Sequence, residues 1–125
     1  MKIYFAHASS IDYSSLYDGI VNSEELKPYK FYFPHLKKGS GEDSFDIIPT
    51  CDLFIADVSA PSTGLGIEIG RAEANNIPIL LLSKIDAKIS TSFDFIHPRP
   101  IRLIYSNPQD MAQKIIAYLN GQLLK

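Results

Sequence analysis

Residues Cys51 to Asn76 read CDLFIADVSAPSTGLGIEIGRAEANN, and the succession of residue types in this stretch decides the fold. Asp52 to Asp57 is apolar enough to be a strand buried on both faces, as parallel strands are. Pro61 to Gly66 is a turn rich in Pro, Ser, Thr and Gly. Ile67 to Asn76 then reads as a helix with Ile67, Ala72 and Ala74 packing inward. A strand that ends in a Gly-rich turn and opens a helix is where open α/β sheets hold their ligands. One carboxylate, Glu68, stands two residues beyond Gly66.

The flanking chain repeats the strand–helix alternation. Toward the N-terminus, Lys2 to Ala6 (KIYFA) is a first strand and Ile11 to Leu26 a helix. That helix keeps Leu16, Ile20 and Val21 in helical spacing and is stopped by Pro28. Tyr29 to Phe33 is an aromatic second strand, followed by Pro34 and His35. Lys37 to Gly41 (KKGSG) is loop-like, and Glu42 to Pro49 suits a short helix with Phe45, Ile47 and Ile48 inward. Toward the C-terminus, Ile77 to Ser83 is a fourth buried strand, and Lys84 to Phe95 is polar without clear periodicity. Arg102 to Tyr105 is a fifth strand, and Pro108 to Leu124 an amphipathic closing helix with Met111, Ile115, Ile116 and Leu119 inward. Strands alternating with helices predict an α/β fold: one domain over residues 1–125, with a doubly wound five-stranded parallel sheet, flavodoxin/Rossmann-like, in the order 2-1-3-4-5. The strand C-termini would then gather the loops at His7–Ser10, Pro34–His35, Ser59–Gly66 and Lys84–Ser92 on one edge.

Composition narrows the function classes. A chain of 125 residues with 46% apolar and 11% aromatic residues can bury a sizeable core. A net charge of −2 and an isoelectric point near 5.8 give no footprint for a nucleic-acid polymer. A small anion can still bind, because helix N-termini and hydroxyls hold it without a basic surface. Cys51 is the single cysteine, beside a strand, and reads as buried and inert; no disulfide or Cys-rich metal site is possible within the chain. The start MKIYFAHA lacks a signal-peptide layout, and the longest apolar run, Ile77 to Leu82, is too short to span a bilayer. The expectation is a soluble cytoplasmic protein with no membrane partner, no metal and no cofactor.

Three chemistries compete for the central stretch. Gly64, Gly66 and Gly70 loosely imitate a dinucleotide fingerprint, but that motif belongs after the first strand, with an acid about 20 residues on, near where Lys84 stands. Asp57 at a strand end, before Pro61 and Gly64, imitates a phosphoacceptor receiver domain. Receivers also need an acidic pair after the first strand to hold Mg²⁺ and a lysine ending the fifth. Here those places read Ala6-His7-Ala8 and Tyr105-Ser106. The third pattern accounts for more residues. Pro61, Ser62, Gly64, Gly66, Glu68, Gly70 and Ala72 stand in the register Pro-Ser-x-Gly-x-Gly-x-Glu-x-Gly-x-Ala. In this the chain resembles the nucleoside 2-deoxyribosyltransferase superfamily, and within it the 2'-deoxynucleoside 5'-monophosphate N-glycosidases (N-hydrolases).

The resemblance implies an enzyme that cleaves the base from the sugar, with Glu68 as nucleophile and a nucleotide or nucleoside as its small-molecule partner. The chemistry suits the residues. Cleavage passes through an oxocarbenium-like state, which a carboxylate beneath the ring stabilises or captures. A place in the first helical turn would favour the anion by roughly 0.3–1 kcal/mol. Gly64 and Gly66 remove side chains, so that a sugar can lie against the backbone. Ser62 stands where the free-nucleoside transferases tend to carry an acid, and a hydroxyl tolerates a 5'-phosphate that a carboxylate would repel; as a residue type it is equally a helix cap.

The resemblance reaches several other positions. It places Tyr4 near the nucleophile, although a strand aromatic is as often core. It brings Ser92, or equally Ser90, to the phosphate from a neighbouring subunit, which implies a homodimer. The first loop is His7-Ala8-Ser9-Ser10, without the family's Arg, so His7, Ser9 and Ser10 are candidate substitutes. The family's second carboxylate aligns with Ser44, leaving Asp43 and Asp46 on either side as candidate acid/base groups. His35 sits at the expected pocket edge. The expectation is hydrolysis of 2'-deoxynucleoside 5'-monophosphates to free base and deoxyribose 5-phosphate, with water as acceptor. The alternatives are base exchange by a nucleoside 2-deoxyribosyltransferase and a non-catalytic nucleotide-binding or receiver-like signalling module.

Overall fold

The computed structural model describes residues 1–34 and 44–121. The strands are β1 (Lys2–His7), β2 (Lys30–Tyr32), β3 (Leu53–Asp57), β4 (Ile79–Lys84) and β5 (Ile101–Tyr105). The helices are α1 (Tyr13–Val21), α2 (Ser44–Ile47), α3 (Thr63–Ala74) and α4 (Pro108–Leu119), with 3-10 turns at Glu24–Leu26, Ile48–Thr50 and Thr91–Phe95. All strand pairs are parallel and the order is β2-β1-β3-β4-β5, the doubly wound arrangement expected from the sequence. The loop expected over Lys37 to Gly41 lies outside the described residues.

Burial explains why the strands form where they do. All five residues of β3 are buried, because helices cover both faces of the sheet centre. One face carries Ile3, Phe5, Leu53, Ile55, Leu80 and Leu82 against α1 and α4. The other carries Tyr4, Ala6, Phe54, Ala56 and Leu81 against Leu65, Ile69 and Ala72 of α3. At the edge, β5 alternates partly buried and exposed residues until Tyr105.

Several boundaries and inward faces differ from the periodicity reading. The second strand is only Lys30–Tyr32, and the closing helix ends at Leu119 with Asn120 as its C-cap. Three further differences have a local reason. The first helix spans only Tyr13–Val21; Asp12 caps its start by accepting from the Ser15 amide, and Leu26 is buried by a separate 3-10 turn. Its inner face is Leu16, Tyr17 and Ile20, while Val21 is exposed. The central helix begins at Thr63, inside the expected turn, because Ser62 caps it. Its core stripe is therefore Leu65, Ile69 and Ala72, and Ile67 and Ala74 point outward. The short helix ends at Ile47, so the buried Ile48 belongs to the 3-10 turn that follows, and Phe45 is exposed, its ring lying against the Arg71 guanidinium at 4.7 Å.

The far end of the sheet is tied by a buried polar pair. Asp57 is fully buried at the end of β3, accepting from the Tyr105 hydroxyl and from the Ser59 amide at 2.9 Å. The bond spans β4, whose Leu82 and Lys84 pair with Asp57 and Tyr105. Burial first, then the bond to Asp57 and its charge, push the Tyr105 phenol above the ordinary value; the Ser59 hydroxyl pulls weakly the other way. Above pH ~10 the unfolded chain releases this proton and the folded chain keeps it, so stability falls as pH rises, by about 1.4 kcal/mol per pH unit for the group. Tyr105→Phe should remove this group's share of the slope, making the alkaline loss shallower than in wild type. It should also cost about 1.5–3 kcal/mol at pH 7 by stripping a donor from a buried carboxylate. Urea unfolding at pH 7 and across pH 9–11 checks both effects.

Candidate active site

The descending course of α3 builds the site. The helix starts at the C-terminal edge of the sheet and runs back over β3 and β1. Glu68 is its sixth residue, roughly 9 Å down the axis at 1.5 Å per residue. Tyr4 lies three residues before the end of β1, roughly 10 Å below the same edge at 3.3 Å per residue. The two rises bring the side chains level, and the Tyr4 hydroxyl donates to Glu68 Oε2 at 2.6 Å. Glu68 thus sits in the second turn rather than the first, where the helix dipole contributes little. A positioned hydroxyl, rather than the helix end, stands beside it.

Tyr4 is held from several sides. Its ring stacks on Phe54 of the neighbouring strand at 5.5 Å and is 2% exposed, so only the hydroxyl end has polar company. Burial first, then the bond to Glu68 and its charge, push the phenol far above its ordinary range; a hydrogen bond with the Ser44 hydroxyl pulls in the opposite direction. Tyr4 is therefore a protonated donor at neutral pH. Ser44, the position between the two candidate aspartates, is the residue of that segment that meets Tyr4. Asp46 is exposed on α2, and Asp43 lies outside the described residues.

Ser62 is the α3 N-cap, accepting from the Leu65 amide at 3.3 Å. With Gly66 it lines a cavity of about 380 Å³ on the flank of α3 that faces β4, and Lys88, Ser90 and Phe93 line the other side. Ser90 shares this cavity with Ser62 within one chain, while Ser92 is exposed and donates its amide to Ser90. Gly64 and Gly66 are exposed on the first turn. A Cβ at Gly64 would meet only the Ser62 hydroxyl, at 3.9 Å, and one at Gly66 would meet nothing within 4 Å.

The remaining candidates separate. His7 is buried on the α1 face of the sheet, with Nδ1 against the Ala8 carbonyl, Nε2 against the Tyr17 hydroxyl and its ring stacked on Tyr13 at 4.7 Å. It is turned away from Glu68 because odd-numbered residues of β1 face α1 and even-numbered ones face α3. Ser9 and Ser10 are exposed in the loop after β1, and His35 lies outside the described residues. A second cavity, of about 470 Å³, opens on the α1 face between Asp12, Lys84, Tyr105 and Asn107. Sequence reasoning missed Lys88, the contact of Ser44 with Tyr4 and the Asp57–Tyr105 pair, since nothing in local spacing couples residues so far apart.

Comparison with known proteins bears on this arrangement. A protein of Syntrophotalea carbinolica, provisionally named 2'-deoxynucleoside 5'-phosphate N-hydrolase 1, is 40% identical over 62 residues, half of this chain. A protein of Methanosarcina mazei with the same provisional name is 32% identical over 79 residues, or 63% of this chain. By sequence, the chain resembles the 2'-deoxynucleoside 5'-phosphate N-hydrolases. The matched segments span 37% and 42% of those relatives' own lengths. No family model matches the chain. Among solved structures, the CMP N-glycosidase BcmB of Clostridium botulinum superposes with a TM-score of 0.69 at 24% identity, over 92% of this chain and 98% of that one. A conserved protein of Enterococcus faecalis gives 0.61 at 19% identity, over 92% and 96%. These likenesses show a common fold.

The glycines provide a test that separates stability from function. Gly66 and Gly70 are both exposed in the interior of α3 with open space around them, so replacing either by Ala should stabilise the helix by about 0.5–1 kcal/mol. Only Gly66 lines the cavity beside Ser62. On the function proposed below, Gly66→Ala should lower turnover while raising the melting temperature, whereas Gly70→Ala should raise the melting temperature alone.

Proposed function

We propose that the protein is an N-glycosidase of 2'-deoxynucleoside 5'-monophosphates, releasing free base and deoxyribose 5-phosphate. The observation that carries the reading is the Tyr4–Glu68 hydrogen bond of 2.6 Å, which fixes a carboxylate beside a glycine-lined helix start. Glu68 attacks the anomeric carbon as the bond to the base nitrogen breaks, and the base leaves with that bonding pair and gains a proton. The glycosyl ester is then cleaved by water, which restores the carboxylate. Tyr4 acts by holding Glu68, with Ser44 behind it. A protonated phenol beside the carboxylate keeps its orientation through both steps.

The provisional names of the curated relatives and the name of the C. botulinum enzyme support N-glycosidic cleavage of a nucleotide. Ser62 and Ser90 on one cavity favour a phosphorylated substrate, since hydroxyls accept an oxyanion that a carboxylate would repel. Asp46, exposed on α2, and Asp43 remain the proposed source of the proton for the leaving base. Ser9, Ser10 and His35 are proposed contacts from the loops after β1 and β2. A homodimer with Ser92 directed at a neighbouring copy belongs to the same reading.

Glu68→Gln should lower base release by roughly 10⁴-fold or more, as loss of a nucleophile does. Tyr4→Phe should lower kcat by about 10- to 100-fold, the value of one hydrogen bond to a charged group. Chromatography of free base from dCMP, CMP and deoxycytidine, each with and without a second base, checks the substrate. Base exchange on unphosphorylated deoxycytidine would instead mark a deoxyribosyltransferase.

A further inference from the structure

The loop after β1 offers no cation: His7 is buried with its ring occupied, and Ala8, Ser9 and Ser10 follow. A phosphate dianion nevertheless needs counter-charge, since it carries about −1.5 to −2 at pH 7. The described cations are distributed unevenly. Lys2 and Lys30 lie over Tyr32 at the start of the sheet, Arg99 and Arg102 pair with Asp94, and Lys114 pairs with Asp110. Lys84 lines the cavity on the α1 face, which it shares with Asp12.

Lys88 differs from all of these. Among the described residues it is the one ionisable side chain lining the 380 Å³ cavity beside α3, and no described carboxylate lines that space. Among the described residues it also forms no ion pair. The two hydroxyls that share the cavity, Ser62 and Ser90, each accept one backbone amide, from Leu65 and Ser92, and each keeps its own proton to donate. A cavity whose described lining carries one positive charge and two hydroxyl donors is suited to an anion. Glu68 lies on the opposite flank of α3, toward β1, and the turn between the two carries Gly64, whose nearest neighbour is the Ser62 hydroxyl, and Gly66, with open space above it.

We propose that Lys88 is the phosphate-binding cation of the active site. The 5'-phosphate enters the cavity between Ser62, Ser90 and Lys88, and the sugar crosses the bare first turn of α3 so that its anomeric carbon meets Glu68. The cation is thus supplied by the loop after β4, not by the loop after β1. The assignment takes its substrate from the N-glycosidase reading, but binding of the phosphate can be measured without turnover.

The test has two arms. In the first, kcat/KM is measured for dCMP and deoxycytidine with wild type, Lys88→Ala and Lys88→Arg. The preference for the monophosphate should fall about 10- to 100-fold in Lys88→Ala, the value of one charge-assisted hydrogen bond. Most of it should return in Lys88→Arg, and the wild-type preference should weaken as salt is raised. An unchanged preference in Lys88→Ala overturns the proposal. In the second, deoxyribose 5-phosphate is titrated calorimetrically into each protein. Weaker binding by Lys88→Ala supports the assignment even if wild type cleaves no nucleotide, an outcome that would sink the N-glycosidase reading alone. Absence of binding by wild type, or equal binding by Lys88→Ala, overturns it.

Discussion

The hydrogen bond from Tyr4 to Glu68 joins the first strand of the sheet to the second turn of its central helix, and the arrangement of the site depends on it. Its geometry is the sum of two registers. The Ser62 cap fixes where α3 begins, and so how far down the helix Glu68 stands. The pairing of β1 with β3, Tyr4 opposite Phe54, fixes how far below the sheet edge the phenol lies. A shift of one residue in either would turn the carboxylate off the sheet or the tyrosine through to the α1 face. The bond also joins the two hydrophobic layers of that half of the molecule, since Tyr4 belongs to the strand layer and Leu65 and Ile69 flank Glu68 on the helix.

The sheet keeps its two acidic centres on opposite faces. Asp57 lies on the α1 and α4 face, fully buried, with Tyr105 and the Ser59 amide as donors. Glu68 lies on the α3 face and is only partly buried. The two have parallel designs, each a carboxylate accepting from a tyrosine of a nearby strand. Burial assigns them different parts: Asp57 ties the ends of β3 and β5 together, while Glu68 lies beside a helix turn without side chains. The proposed chemistry follows the more accessible carboxylate.

The fold was legible because the decisive signals are local. Two strands apolar throughout, each ended by a turn, leave few arrangements other than a parallel sheet with helices on both sides. The faces of the helices were less legible, and α3 shows why. Placing its start at Ile67 made Ile67 and Ala74 inward, whereas the Ser62 cap advances the start to Thr63 and rotates the core stripe onto Leu65, Ile69 and Ala72. The same displacement took Glu68 out of the first turn. Within the site, Glu68, Ser62, Gly64 and Gly66 were visible as a spaced motif. His7 was read onto the site by its nearness to a strand end, although strand alternation sends it to the other face. Ser44 was marked only as the place of the family's second carboxylate, and Lys88 carried no local signal, since their relation to Tyr4 and Ser62 exists only once the chain has folded.

The proposed mechanism places a covalent bond on one atom group, and that bond is the most direct thing to measure. Excess protein mixed with dCMP, quenched in acid within the first turnover and digested, should yield a peptide containing Glu68 that has gained the mass of a deoxyribose phosphate residue. The adduct should be absent in Glu68→Gln. Release of cytosine with no adduct on Glu68, or with the adduct on another residue, would contradict the account.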